Sequence, residues 1–554
     1  MYIKTDDMNI RTMIFLMMLV LTTSLSAWSQ QVADYRVIPM PQSITEQKDE
    51  SFVLDGNTTI VYVTNNQISA DNDEAMRRNT RYLRQYIHES TDIETEIVYH
   101  KVKNRSTIQL SIDSKIIAQE GYQLTITKNN VIIAGATPQG VFYGIQTLRK
   151  SIPMQATGSV ELPAVVIKDQ PRFAYRGMHL DCARHFFSVN KMKTFIDMLA
   201  LHNMNRFHWH LTDDQGWRIE IKKYPRLTEF GSRRTGTVIG NNSDVDDKIP
   251  YGGFYTQEEI KDVISYAAER YITIIPEIDM PGHTLAALAC FPELGCTGGP
   301  YEVGHKWGVG YDVLCVGNPK SLEFAKNVLT EVMKLFPSEV IHIGGDEAPT
   351  KRWDDCPKCK ALNVASVQGY FTHELEDFLA VHGRRAIGWD EMLEHGVASN
   401  TEIMSWRGSK PGYQAAAAGH DVVMSPLTHC YLDYYQTKDT RYEPSVTGMW
   451  SINVEKVYSF DAAPDSIPAE TREHIIGVQG NIWTEHIPNF DVVQYQALPR
   501  MSALAEVQWT YPEQKDYKLF KERLTRFTKI YEFYDWTYAK HLWPERMTQD
   551  RWHF

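Results

Sequence analysis

Eight short β-rich runs recur between Pro171 and the C-terminal part of the chain, and segments of helical length separate them. Strands that alternate with helices in this way are typical of a parallel sheet, and eight such units close into a barrel. We therefore predict an α/β fold in which residues 172–545 form a (β/α)8 barrel with insertions in its loops. The eight runs are Tyr175–Asp181, Asn205–Asp213, Ile272–Asp279, Val340–Glu347, Arg385–Asp390, Glu402–Trp406, Asp421–Pro426 and Ile475–Trp483.

The part of the chain before the barrel has a different pattern. Alternating apolar residues and breaks rich in Gly, Asn and Asp indicate short strands, and two stretches have helical spacing. We predict a smaller α+β domain over residues 30–166, which ends before Lys168-Asp169-Gln170-Pro171. Its clearest elements are strands at Thr59–Val63, Thr107–Ile112, Tyr122–Thr127 and Val131–Ala134 and helices at Asp73–His88 and Pro138–Ser151.

The first 29 residues resemble a targeting segment. An unbroken apolar run, Met13–Leu21, follows Lys4 and Arg11 and precedes small residues between Ser24 and Ser29. A membrane-spanning helix needs about 20 apolar residues, roughly twice the length of this run. Residues 1–29 are therefore predicted to be a signal peptide, and the protein to be exported and periplasmic or secreted.

Composition narrows the class of partner. The chain has 554 residues, 43% of them hydrophobic, so it can build a large core. It carries 57 Lys and Arg against 69 Asp and Glu, a net charge of −12. Nucleic acid is excluded as an expected partner because a phosphate-binding surface needs clustered cations. No transmembrane segment is expected, and a monomer and a homo-oligomer stay open alternatives.

Polar and aromatic side chains follow most of the predicted barrel strands. In a (β/α)8 barrel the loops after the strands converge on one face, where catalytic groups lie. Buried carboxylates cost free energy unless they are paired, so their recurrence at these positions indicates a polar pocket. The residues are Asp181, Arg184, Asp213, Asp214, Asp279, His283, Asp346, Glu347, Trp389, Trp406, Tyr431, Asp433, Trp483 and Glu485.

The motif His342-Ile343-Gly344-Gly345-Asp346-Glu347 is the most specific of these clusters. Adjacent side chains on a regular strand point to opposite faces, so two neighbouring acids cannot easily flank one anomeric carbon. An ordinary retaining glycosidase needs that arrangement for its acid and its nucleophile. We therefore expect one acid to protonate a leaving group and its neighbour to have another role.

Aromatic and imidazole side chains add to the predicted pocket. Trp389, Trp406 and Trp483 end three strands, and together they could enclose an apolar group and a sugar face. His208 and His210 lie on one face of a strand, a pattern that zinc sites also use. Hydrogen-bonded core histidines are the favoured interpretation, since no further zinc ligands follow at a typical spacing.

The seven cysteines are too few for a disulfide scaffold. Cys356 and Cys359 form a single Cys-Pro-Lys-Cys without the second pair of a zinc ribbon, so a loop disulfide or two thiols is favoured over a metal site. Cys290, Cys296 and Cys315 lie in one loop region where a bridge is plausible. Cys182 is expected to be a buried thiol.

Several motifs together resemble glycoside hydrolase family 20, the β-N-acetylhexosaminidases. The resemblance covers the chain beyond the leader, because members of this family also carry an α+β domain before the barrel. It implies a glycoside hydrolase that needs no metal and no organic cofactor. The motifs are Leu180–Phe186, Phe207–Asp214, Pro281–His283, His342–Glu347 and Trp483–Glu485.

The resemblance also implies roles for individual residues. Glu347 is similar to the family's general acid/base, Asp346 to the carboxylate that orients the 2-acetamido nitrogen, and Tyr431 to the tyrosine that hydrogen-bonds the acetamido oxygen. The other matched residues bind the sugar or support the pocket, and Trp353 is a candidate for the leaving-group subsite. They are Arg184, Asp213, His283, Trp389, Trp406, Asp433, Trp483 and Glu485.

The implied reaction is exo-acting hydrolysis of terminal non-reducing β-linked N-acetylglucosamine or N-acetylgalactosamine, with retention. In this family the substrate's acetamido oxygen is the nucleophile, which is the known exception to the two-carboxylate rule. The expected partner is an oligosaccharide or glycoconjugate. Two alternatives stay open: a conventional retaining glycosidase with Asp213 or Asp279 as nucleophile, and a non-catalytic glycan-binding barrel.

Overall fold

The computed structural model describes residues 31–64, 68–103, 106–240, 243–446 and 450–546. The predicted signal peptide lies outside these residues. The described chain forms two compact units, one of residues 31–37 and Ser43–Asp169 and one of Ile38–Gln42 and Gln170 onward. None of the helices in the described ranges is long and apolar enough to cross a membrane.

The first unit is a seven-stranded mixed sheet with two helices. In spatial order its strands run β1-β7-β5-β6-β4-β2-β3, antiparallel from β1 to β6 and parallel from β6 to β3. Ser69 caps the first helix, because its side chain accepts a hydrogen bond from the Asn72 amide. The strands are β1 Ser43–Leu54, β2 Thr59–Tyr62, β3 Glu96–Val98, β4 Thr107–Ile112, β5 Tyr122–Ile126, β6 Asn130–Gly135 and β7 Val160–Asp169, and the helices are Ala70–Thr91 and Pro138–Ser151.

The second unit is a closed barrel of eight parallel strands, which confirms the predicted (β/α)8 fold. All seven residues of the first strand are buried, as expected where both faces of a parallel sheet are covered. The barrel strands are β8 Tyr175–Asp181, β9 Arg206–His210, β14 Thr273–Glu277, β15 Val340–His342, β16 Arg385–Trp389, β17 Glu402–Ser405, β18 Val422–Met424 and β19 Ile475–Gly480. Two small hairpins interrupt the chain after β9, formed by β10 Thr212–Asp213 with β11 Gly216–Trp217 and by β12 Arg233–Arg234 with β13 Tyr251–Gly252.

Helices connect most of these strands. Thr256 and Glu259 form a capping box at the start of one of them, Gln257–Ala268. The connection after β16 differs from the expected pattern because it is a 3-10 segment, Asp390–His395, instead of a helix. The α-helices are Val189–Leu201, Arg226–Glu229, Gln257–Ala268, Leu285–Cys290, Pro319–Leu335, Lys351–Asp355, Pro357–Ala361, Val367–Val381, Ser409–Ala417, Leu427–Cys430, Val454–Tyr458, Ala469–Glu473, Phe490–Ala497, Arg500–Trp509 and Tyr517–Phe533, and the other 3-10 segments are Pro292–Leu294, Thr440–Tyr442, Pro512–Gln514 and Pro544–Arg546.

Candidate active site

The two adjacent acids lie in a turn after β15 and not on the strand itself. The strand was expected to run to Glu347, but it ends at His342. Gly344 and Gly345 then adopt positive φ angles of 72° and 93°, and Glu347 one of 44°. The turn places the two acids in different environments. The Asp346 side chain is 12% exposed, and the Glu347 side chain is 41% exposed.

His283 connects these acids to the loop after β9. Its Nε2 lies 3.5 Å from Oε2 of Glu347 and 3.7 Å from Oδ2 of Asp346, and its Nδ1 lies 3.2 Å from Oδ1 of Asp213. Burial lowers the pKa of His283, but Asp213 and the two acids raise it well above its usual value. The contact with His283 in turn lowers the pKa of Glu347. Both shifts favour a protonated imidazole beside an ionised Glu347.

Asp213 contacts three basic side chains, those of Arg184, His210 and His283. Arg184 Nη2 lies 2.9 Å from its Oδ2, which also contacts His210 Nε2 at 3.0 Å. Burial raises the pKa of Asp213, but Arg184 and His283 together keep it well below its usual range. Arg184 is fixed in turn by Asp181 at 3.1 Å and lies 3.9 Å from Oε1 of Glu485. This chain of ion pairs supports the guanidinium and the imidazole at the rim of the barrel.

Four aromatic rings form a second side of the site. The centroids of Trp389 and Trp483 are 5.9 Å apart, those of Trp483 and Tyr431 are 6.5 Å apart, and those of Tyr431 and Trp406 are 5.9 Å apart. Burial, with a contribution from Asp433, raises the pKa of Tyr431 well above its usual value, so its hydroxyl stays protonated and can donate a hydrogen bond.

Acidic residues that sequence reasoning missed hold two of these tryptophans. The Trp389 indole donates to Glu277 Oε1 at 2.9 Å, and the Trp406 indole donates to Glu391 Oε2 at 2.8 Å. Asp390 accepts from the Trp406 amide at 3.0 Å. Asp390 and Glu391 directly follow a predicted site tryptophan, and that adjacency was a signal in the sequence.

Glu277 is also the centre of a buried polar cluster beneath the pocket. His210 Nδ1 lies 2.5 Å and His208 Nε2 3.0 Å from its Oε2. Burial raises the pKa of Glu277, but the surrounding imidazoles hold it well below its usual range. The interpretation of His208 and His210 as core histidines with polar partners is confirmed.

Asp346 and Asp433 each keep an acceptor without a partner among the described residues. Oδ1 of Asp346 and Oδ1 of Asp433 are buried and accept no hydrogen bond there. Burial raises the pKa of Asp346, and burial together with Glu485 raises that of Asp433 to about 8. A buried acceptor of this kind is costly unless a ligand supplies the donor. Both atoms are therefore suited to receive an N–H or O–H group of a bound molecule.

Trp353 lies beside the turn of the two acids. It is 2% exposed, and its indole donates to the Leu314 carbonyl at 2.8 Å. Trp389 is just as buried, at 1% exposed, so burial does not separate the two rings, and a leaving-group role for Trp353 stays a prediction.

The structure forms no bridge among Cys290, Cys296 and Cys315, where the sequence made one plausible, and Cys356 and Cys359 are thiols, one of the two favoured interpretations. The described chain contains no disulfide, and Cys296 and Cys315 lie against Cys356 and Cys359, while Cys290 contacts Arg226 instead. Cys182 is buried, as expected, and accepts from the Trp209 indole at 3.3 Å.

Comparison with known families covers both units. Residues 173–512 match the family described as "Glycosyl hydrolase family 20, catalytic domain", and residues 34–170 match "Glycosyl hydrolase family 20, domain 2".

Curated relatives and solved structures are similar over most of the chain. A beta-hexosaminidase of Porphyromonas gingivalis is 41% identical over 90% of this chain and 65% of its own length, and one of Vibrio furnissii is 38% identical over 69% and 64%. The chain thus spans just under two thirds of the length of these two relatives.

Among solved structures, the GH20 beta-N-acetylhexosaminidase of Streptomyces coelicolor A3(2) has a TM-score of 0.78 at 29% identity, over 94% of this chain and 99% of its own. The GH20 exo beta-N-acetylglucosaminidase of Vibrio harveyi, solved with N-acetylglucosamine, has a TM-score of 0.79 at 32% identity, over 93% and 80%.

Proposed function

This chain belongs to glycosyl hydrolase family 20, and we propose that it is an exo-acting, retaining β-N-acetylhexosaminidase. Its substrates are oligosaccharides or glycoconjugates that end in a non-reducing β-linked N-acetylglucosamine or N-acetylgalactosamine. One observation carries the proposal: the turn after β15 presents an exposed acid, Glu347, beside a buried acid, Asp346, whose Oδ1 has no donor in the described part of the chain. An acetamido N–H supplies that donor, and the exposed acid serves the leaving group.

The reaction then needs no nucleophile from the protein. The acetamido oxygen attacks the anomeric carbon as the bond to the glycosidic oxygen breaks, and Glu347 protonates that oxygen. Asp346 stabilises the positive charge that develops on the acetamido nitrogen, and Tyr431 donates to the acetamido oxygen. In the second half, Glu347 takes a proton from water, which attacks the same carbon and restores the acetamide with net retention.

His283 accounts for how one carboxyl group performs both steps. Its raised pKa and the lowered pKa of Glu347 favour an ionised Glu347 in the free site, which is the form that activates water. The first half requires a proton on Glu347, and His283 Nε2, 3.5 Å away, is the nearest described donor to that carboxylate. Asp213 then stabilises the imidazolium between turnovers.

The remaining residues bind and enclose the sugar. Arg184, Asp433 and Glu485 hold its hydroxyl groups, which agrees with the unpartnered Oδ1 of Asp433. The rings of Trp389, Trp406 and Trp483 enclose the acetamido methyl group and one sugar face. The solved Vibrio harveyi relative, an exo beta-N-acetylglucosaminidase, supports exo action.

A conventional retaining mechanism is less consistent with the charges. Asp213 contacts Arg184, His210 and His283 and has no free face. Asp279 is buried, neither of its carboxylate oxygens has a partner among the described residues, and burial raises its pKa well above the usual value. Burial disfavours the ionised form that a carboxylate nucleophile requires, and it does so more strongly at Asp279 than at Asp346, whose pKa is raised less. A non-catalytic barrel, in contrast, would not need the exposed Glu347.

Two substrates test the class of reaction. A reduced chito-oligosaccharide should release monosaccharide from the first time point, while early internal fragments would contradict exo action. An aryl N-acetylglucosaminide should be hydrolysed and the matching aryl glucoside should not. Equal rates on the two would favour a protein nucleophile, and no hydrolysis of either would favour the binding protein.

A series of aryl N-acetylglucosaminides with graded phenol pKa separates the two acids. Glu347→Gln should lose about 10²–10⁴-fold on poor leaving groups and much less on good ones, and azide should restore its second step. Asp346→Asn should be impaired on all of them and should not respond to azide. Interchanged slopes would mean that the two roles are reversed.

We also propose that the protein is exported and acts in the periplasm or outside the cell. The apolar run Met13–Leu21 and the small residues after it support this location. Cell fractionation tests it, and retention of the uncleaved chain in the cytoplasm would refute it.

A further inference from the structure

Four cysteines from two loops meet in one cluster outside the pocket. Their sulfur atoms all lie within 4.8 Å of one another. The Cys315 Sγ is 3.6 Å from that of Cys356 and 3.7 Å from that of Cys359, and the Cys296 Sγ is 3.9 Å from that of Cys359. Cys315, Cys356 and Cys359 are buried, and Cys296 is partly buried.

These distances fit a coordination shell better than a pair of disulfides. A disulfide joins its two sulfurs at about 2.05 Å, and none of the three measured pairs approaches that separation. Four thiolates around a tetrahedral ion at about 2.3 Å lie about 3.7–3.8 Å from each other. The observed spacing matches that edge. Cys359 Sγ lies at nearly the same distance from both cysteines of the other loop, 3.7 Å from Cys315 Sγ and 3.9 Å from Cys296 Sγ.

The backbone around the cluster is also closely fitted. A Cβ atom at Gly317 would lie 2.2 Å from the carbonyl carbon of Lys358, so only glycine allows this approach of the two loops. The Gly317 amide donates to Cys359 Sγ at 3.4 Å. Backbone N–H groups directed at a ligand sulfur, and the cation of Lys358 on the same turn, would offset the negative charge of a four-thiolate site.

We propose that Cys296, Cys315, Cys356 and Cys359 bind one structural Zn²⁺ ion. Each thiol loses its proton, so the site forms from Zn²⁺ and four thiols with release of four protons. Four protein sulfurs leave no open position, and the ion takes no part in hydrolysis. The sequence alone favoured a disulfide or free thiols because Cys296 and Cys315 show no paired spacing.

The position of the site defines its role. Cys315 follows Leu314, whose amide donates to the Pro281 carbonyl beside His283. Cys356 follows Glu347 and Trp353 along the loop after β15. The ion therefore fastens the loop that carries His283 to the loop that carries the adjacent acids.

Metal analysis of the purified protein, prepared without a polyhistidine tag, tests the proposal. About one zinc per chain is expected, and Cys315→Ser and Cys359→Ser should each retain less than about one tenth of it. Cys290→Ser is the matched control, since Cys290 lies in the same region but outside the cluster, and it should keep its zinc. Co²⁺ in place of zinc should give the thiolate charge-transfer and intense visible bands of a tetrahedral site.

Two results would overturn the proposal. Intact masses that rise by two hydrogens for each bridge on reduction, in a zinc-free protein, would show disulfides. Four free thiols that take up no zinc when the reduced protein is titrated without oxygen would show that the cluster is only packed. Neither readout depends on hydrolytic activity, so a failure of the proposed reaction leaves this test valid.

Discussion

Gly344 offers a quantitative test of the turn that carries the two acids. Its φ angle of 72° is one that residues with a Cβ atom adopt at a cost of about 1–2 kcal/mol. An alanine Cβ would also lie 1.7 Å from Oδ1 of Asp279, a buried side chain. Relieving such an overlap costs about 1–3 kcal/mol more. Gly344→Ala should therefore lower the free energy of unfolding by about 2–5 kcal/mol.

Gly383 is a matched control for the backbone cost. It has the same φ angle of 72°, but a Cβ atom there would meet nothing within 4 Å. Gly383→Ala should therefore lose only about 1–2 kcal/mol. Urea denaturation measures both variants, and the difference between them isolates the overlap with Asp279.

Activity should separate the same two variants. Relief of the overlap moves the turn that positions Asp346 and Glu347, and a misplacement of about 1 Å can cost about 10²-fold in rate. Gly344→Ala should lose roughly that factor in kcat/KM on an aryl N-acetylglucosaminide, and Gly383→Ala should resemble the wild type. Equal losses of stability in the two variants, or full activity of Gly344→Ala, would refute the argument that Asp279 fixes this turn.

Three further predictions concern charge and size in the pocket. His283→Gln removes the group that holds the proton of the free site, 3.5 Å from Glu347, so the alkaline limb of kcat/KM on a poor leaving group should move to lower pH, and an upward shift would contradict the pairing. In the folded protein the pKa of Asp433 is raised from 3.8 to about 8. The protonated carboxyl group therefore makes its full contribution to stability below pH 3.8, and this contribution is lost as the pH rises through about 8. The unfolding free energy of the wild type minus that of Asp433→Asn should consequently fall between pH 5 and pH 8 in chemical denaturation, and a rise would give the wrong sign. Each methylene added to the substrate's acyl group should lower kcat/KM by the equivalent of about 1–3 kcal/mol, and Trp406→Ala should remove this discrimination. If kcat/KM of the wild type did not depend on acyl size, Trp406 would not contact the acyl group.

The barrel was predictable because short β-rich runs alternate with segments of helical length. The bounds of Tyr175–Asp181 agree with the structure, where all seven residues of the run are buried although Arg176, His179 and Asp181 are polar. The run Val340–Glu347 was too long, because apolar character continues to Ile343 while Gly344 and Gly345 already turn the chain. The six residues that follow β16, Asp390–His395, are too few to show helical periodicity, and they form a 3-10 segment.

The polar residues of the site were predictable from their positions after the strands, but their contacts were not. Nothing local in the sequence indicates that His283 lies between Asp213 and Glu347, because those contacts join three different loops. The same reason explains Cys296 and Cys315, which approach the Cys-Pro-Lys-Cys motif only through the fold. Predicting long-range contacts of this kind requires the strand register of the whole barrel.

The carboxylate of Glu277, which contacts Trp389 and buried histidines, limits which tryptophan of this pocket can be replaced. Trp389 is tied to it through a fully buried hydrogen bond, so replacing that indole by a phenyl ring would remove a donor from a buried ionised oxygen, which would keep only its contact with His342 Nδ1 at 3.0 Å. Trp406 donates instead to Glu391, whose pKa burial raises to about 8, so at neutral pH its partner is largely uncharged and tolerates the loss better. Libraries that seek new acyl specificities should therefore vary Trp406 and leave Trp389 unchanged, because the two rings differ in what they hold in place behind them.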